Sequence, residues 1–84
     1  MEKLIYSIKD TKSGLFNGCT LYVNDNVACR DARTLANDKS CLFGIYPGDY
    51  DLYCIGKFDD ITGAITSEVR HVISLASLVD VKGE

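Results

Sequence analysis

A chain of 84 residues with a net charge of −3 holds one domain, because domains run from roughly 50 to 250 residues. Its composition, 46% hydrophobic and 25% charged with a single Pro, is that of a folded globule rather than a disordered segment. Size excludes a large multi-step enzyme, and the acidic excess argues against a protein that coats duplex DNA by neutralising many phosphates.

The imbalance is uneven along the chain. Residues 1–39 carry six basic and five acidic groups, whereas residues 40–84 carry three and seven. A polyanion therefore has its better candidate surface in the N-terminal half. Cys19, Cys29, Cys41 and Cys54 form no CxxC pair and have no histidine pair nearby, which argues against structural zinc. The first nine residues lack an apolar signal-peptide core, and no apolar run approaches the roughly 20 residues that span a bilayer. These features predict a soluble protein without membrane contact, made in a reducing compartment with its four thiols unlinked.

Lys3–Lys9 alternates, with Leu4, Tyr6 and Ile8 on one face, and predicts a first strand. Asp10–Gly18 is rich in turn formers and reads as a loop pinned to the core by Leu15 and Phe16. Thr20–Val23 reads as a short second strand. Asn24 or Asp25 can cap the helix that follows, in which Ala28, Ala32, Leu35 and Ala36 make a stripe of mainly small residues. Arg30, Arg33 and Thr34 fall on its opposite face, and Asn37–Lys39 end it.

Ser40–Asp49 is a connection that contains Leu42, Phe43, Ile45 and Tyr46. Tyr50–Phe58 reads as a central strand buried on both faces, because its middle is nearly continuous apolar sequence. Asp59–Gly63 supplies a hairpin turn and Ala64–Thr66 begins the return strand. The C-terminal stretch reads as an extended piece into Val72 and then a short helix over Ser74–Asp80. The sum is an α+β domain: a small antiparallel sheet, one main helix packed on one face and a short C-terminal helix.

Phosphate-binding glycine loops, nucleophile elbows and metal-binding motifs do not occur in the sequence. His71 has no spacing partner for a triad, and the Asp59-Asp60 pair is more simply a turn than a metal or acid–base site. The reading is non-enzymatic, with no cofactor and no metal. Two constellations remain. Lys9, Lys12, Arg30 and Arg33 could meet phosphates, and aromatics including Tyr22, Phe43, Tyr46, Tyr50 and Tyr53 could stack on bases, since each stacked base contributes about 1–3 kcal/mol. The same aromatics serve equally as core or as a protein interface.

Several blocks in order add to this. They are Leu4–Asp10, Leu15-Phe16, Asn24–Arg30, Asn37-Asp38 and Tyr46–Gly63, the last containing Leu52-Tyr53-Cys54-Ile55-Gly56 and Asp59-Asp60-Ile61-Thr62-Gly63. Over about residues 3–65 this order resembles the small nonstructural protein of gokushoviruses, single-stranded DNA bacteriophages of the microvirus family. The chain departs from that pattern at Asn17-Gly18-Cys19, where the family often has prolines, and at Arg33-Thr34-Leu35, where it often has an aromatic.

The resemblance implies the cytoplasm of an infected bacterial host and a role in genome replication, DNA handling or packaging. It supplies no catalytic residues. Two functional expectations follow. The first is weak binding of single-stranded DNA through Lys9, Lys12, Arg30, Arg33 and an exposed tyrosine such as Tyr22. Three or four phosphate contacts predict a log–log salt slope of about −2 to −3. The second is a module that docks on a viral or host protein through the apolar loop Leu42–Tyr46. An uncovered sheet edge also predicts a homodimer, through that edge or through Phe43, Ile45, Tyr46 and Tyr50.

Overall fold

The computed structural model describes residues 1–80. Its elements in chain order are β1 (Glu2–Asp10), β2 (Leu15–Tyr22), α1 (Asp25–Ala36), the single turn α2 (Leu42–Ile45), a 3-10 turn (Pro47–Asp49), β3 (Tyr50–Asp59), β4 (Ile65–Ser74) and a second 3-10 turn (Leu75–Leu78). The four strands make one antiparallel sheet in the order β2-β1-β3-β4. Two hairpins are thus joined along β1 and β3, and the helix lies between them in sequence. This is the α+β arrangement that the sequence predicts.

Local chemistry accounts for most boundaries. Asn24 sits in extended conformation and its side chain accepts the Val27 N–H at 3.0 Å, so the cap is Asn24 and Asp25 opens the first turn. Ala28, Ala32 and Ala36 are buried against the sheet, and methyl-sized side chains let helix and strands approach closely. Asn37 ends the helix. Its amide donates to the Arg33 carbonyl (2.8 Å) and the Leu78 carbonyl (3.0 Å), and its Oδ1 accepts the Asp80 N–H (2.8 Å). One residue thereby closes α1 and holds the C-terminal segment beside it. Ser74 caps the last 3-10 turn by accepting the Ala76 N–H, where the sequence predicts a short helix.

Several expectations are corrected. The loop expected over Asp10–Gly18 is only the turn Thr11–Gly14: Asp10 accepts the Lys12 N–H, Gly14 takes φ +77°, and β2 begins at Leu15. The turn-like Asn17-Gly18 is instead part of a bulge inside β2. Ser7 faces both Gly18 and Cys19, Gly18 adopts φ +54°, and the Ser7 hydroxyl donates to the Gly18 carbonyl at 2.6 Å. Leu15 and Phe16 do not enter the core. They stand 66% and 43% exposed.

β3 is buried on one face rather than two. Tyr50, Leu52 and Cys54 join Tyr6, Leu75 and the three alanines in the core, while the side chains between them turn to the other face. The return strand runs from Ile65 to Ser74, two residues past the extended stretch that the sequence carries into Val72. No helix among the described residues packs against the sheet's second face.

Candidate nucleic-acid interface

Directly opposed residues of antiparallel strands share a face, so register assigns the open side. Lys9 opposes Phe16 on β2 and Asp51 on β3. Ser7 opposes Tyr53, which opposes His71 on β4. Ile5 opposes Leu21, and Lys3, Phe58 and Ile65 oppose one another in series. The open face therefore carries an apolar and aromatic surface crossed by two lysines.

Its centre is a row of three rings from β2, β3 and β4 that passes over β1. Phe16 meets Tyr53 edge-to-face at 5.3 Å between centroids, and Tyr53 meets His71 at 5.2 Å with the planes at 90°. The Lys9 ammonium lies 5.6 Å from the Phe16 ring centre and 5.8 Å from that of Tyr53, within cation–π range of both. His71 Nε2 is 3.6 Å from the Asp51 carboxylate. Asp51 is the one carboxylate at a register-paired position of this face among the described residues. The Lys3 ammonium lies 3.9 Å from the Asp60 carboxylate, so Lys9 is the cation that stands over the rings, while the other paired acids, Glu2, Asp10 and Asp59, are on the helix side.

The residues singled out from sequence are not brought onto one surface. Lys9 is on the open face. Lys12 lies in the β1–β2 turn with its ammonium 3.9 Å from Asp49. Arg30 and Arg33 project from α1, on the other side of the sheet; Arg30 lies 3.6 Å from Asp31, and Arg33 is ion-paired with Asp80. Tyr22 is half-buried on the helix side, edge-to-face with Tyr6 at 5.7 Å, and burial together with Asp31 pushes its phenol pKa up. Of the expected interface residues, Phe43 and Tyr50 pack on each other at 4.8 Å within or beside the core, while Ile45 and Tyr46 stand exposed.

Phe16 and His71 were missed by sequence reasoning, whereas Tyr53 was among the aromatics read as able to stack on bases. The one available signal was alternation: Phe16 shares a face with Lys9 once the turn Thr11–Gly14 sets Asp10 against Leu15, and Asp51 and Tyr53 share a face with each other.

Two further features complete the surface. A cleft of about 200 Å3 opens on the helix side beside β2, lined by Ile8, Asn17, Thr20, Tyr22, Leu35 and Phe43. At the N-terminus of α1, Arg70 holds the Asp25 carboxylate with two bonds of 2.9 Å, and the Tyr6 hydroxyl donates to the same group. These contacts hold the Asp25 carboxyl below the usual carboxylate range, and burial with Asp25 pushes the Tyr6 phenol up. No three metal-ligating side chains gather anywhere among the described residues, and no helix there is long and apolar enough to cross a membrane.

The fold defines a small α+β domain whose four-stranded sheet is covered on one face and open on the other. Residues 3–80 match the family model described as Phage ORF5 protein, and the chain belongs to that phage protein family. No curated protein and no solved structure matches it.

Proposed function

We propose that this phage accessory protein binds single-stranded DNA on the open sheet face, without catalysis, in the cytoplasm of a bacterium infected by a gokushovirus-like phage. The observation that carries this reading is the Phe16–Tyr53–His71 row with Lys9 across it. Bases have apolar π-faces that stack on such rings whatever their sequence, and a nearby ammonium answers the phosphate. Lys9 offers one phosphate contact and Lys3 a second on leaving Asp60, 3.9 Å away, so affinity should be modest and the log–log salt slope about −0.7 to −1.4.

Fluorescence anisotropy with a labelled oligothymidylate at low salt tests it. Phe16→Ala and Tyr53→Ala should each weaken binding by about 5- to 100-fold. Arg30→Ala/Arg33→Ala should stay within about twofold of the parent, because those side chains lie across the sheet from the rings. Absence of binding at tens of micromolar protein, or loss confined to the arginine variant, would overturn the reading.

Exposed Leu42, Ile45 and Tyr46 favour a second reading, docking on a viral or host protein. Capture of a partner from nuclease-treated infected cells, abolished by Tyr46→Ala and unaffected by Tyr53→Ala, is its test.

A further inference from the structure

We infer that β2 is the seam of a two-fold homodimer, in which two copies pair edge to edge into one continuous eight-stranded sheet. β2 ends the sheet, so the backbone groups on its outer side meet no strand among the described residues. Natural edge strands are guarded by charge, proline or a bulge, and the bulge at Gly18-Cys19 is the one of these that β2 carries. Leu15–Tyr22 contains neither charge nor proline, whereas the opposite edge, β4, carries Glu68, Arg70 and His71. Two copies at −3 each repel on average, and β2 is the edge along which they meet with no like charges opposed.

The bulge makes this strand self-complementary. Antiparallel pairing about a two-fold axis normal to the sheet keeps each side chain on its own face, so every opposed pair must come from the same face. In a regular strand a register centred between two residues violates that rule. Here the extra residue at Gly18-Cys19 reverses the alternation midway. Leu15, Asn17, Thr20 and Tyr22 oppose helix-side positions of β1, while Phe16 and Leu21 oppose open-face positions.

A register centred between Gly18 and Cys19 therefore matches faces throughout. It sets Phe16 against the partner's Leu21, Leu15 against the partner's Tyr22, and Asn17 against the partner's Thr20. Apolar meets apolar, polar meets polar, and the smallest residues lie on the axis. Leu15, Phe16 and Leu21 are exposed in the single chain and gain cover in the pair.

A paired eight-residue edge buries on the order of 800–1,000 Å2 in total, below stable specific interfaces and in the range of weak, transient ones. The pair would also place two open faces side by side, although the inference stands whether or not they take DNA.

Sedimentation equilibrium of the full chain with reductant and no nucleic acid is the test, so failure of the DNA reading leaves it untouched. The parent should pass from monomer to dimer below about 300 µM, consistent with so small an interface. Asn17→Lys/Thr20→Lys sets lysines against the partner's lysines and should give a folded monomer. Asn17→Glu/Thr20→Glu should do the same. An equimolar mixture of the two should recover a heterodimer. A monomeric parent, charged variants that still dimerise alone, or a mixture that stays monomeric would each overturn the assignment.

Discussion

Replacing Asp25 by Ala should cost more stability than any other single carboxylate removal, because one carboxylate joins three elements. Tyr6 of β1 is 1% exposed, and its hydroxyl donates to Asp25 at the start of α1; Arg70 of β4 reaches the same group from the sheet edge. Removing the acceptor strands a buried hydroxyl, which costs about 1–3 kcal/mol. The Arg70 pair is exposed by 44% and 40% at its two ends, so solvent screening limits its share to about 0.2–1 kcal/mol. An acid in the first helical turn adds about 0.3–1 kcal/mol through the dipole.

The sum is about 1.5–5 kcal/mol in a domain whose total stability is about 4–12 kcal/mol. Urea unfolding followed by far-ultraviolet circular dichroism should place the midpoint lower by about 1–4 M. Tyr6→Phe should cost only about 1 kcal/mol, since Asp25 keeps its arginine. In the double variant no hydroxyl is stranded, so the two losses should fall short of adding by about 1 kcal/mol. A loss below about 1 kcal/mol for Asp25→Ala, or strict additivity in the double variant, would refute the account.

Two further outcomes are expected. Gly44→Ala drives a Cβ into the Asp38 carbonyl oxygen, which is backbone and cannot swing away, so thermal unfolding should show a loss of about 2–4 kcal/mol; an unchanged Tm would contradict it. The depressed Asp25 carboxyl contributes stability that is fully present above the ordinary carboxylate range and lost as pH falls through its lowered value. Tm measured from pH 7 down to strongly acid conditions should therefore fall less steeply for Asp25→Asn than for the parent, and parallel acid limbs would argue against this.

What was legible in the sequence was what neighbours in the chain decide. Asn24 reads as a cap because the N–H it accepts is three residues away, and the alanine stripe follows from helical spacing alone. The hairpin turn at Asp59–Gly63 is likewise local: Asp59 accepts the Ile61 N–H, and Gly63 takes φ +79°. The start of β2 was hidden because Asn17-Gly18 has turn chemistry, and a bulge uses the same positive φ as a turn. The ring row was hidden for a different reason. Phe16, Tyr53 and His71 come from three strands, and only the order β2-β1-β3-β4 puts Lys9 between them. Arg33 read as a free cation because Asp80, which holds it, lies far along the chain.

The joining of two hairpins along β1 and β3 also sets an order of assembly. Each hairpin closes over a turn of a few residues, whereas pairing Lys9 with Asp51 closes a loop of about 40, which costs about 2 kcal/mol more in chain entropy. The hairpins and the capped helix can therefore form early and independently. The central seam comes last, and it gains its return only when the alanine stripe settles onto both hairpins together. Changes within the early hairpins consequently act on the rate of folding, while changes in the seam residues Tyr6, Leu52 and Cys54, whose contacts form last, act on the rate at which the finished sheet comes apart.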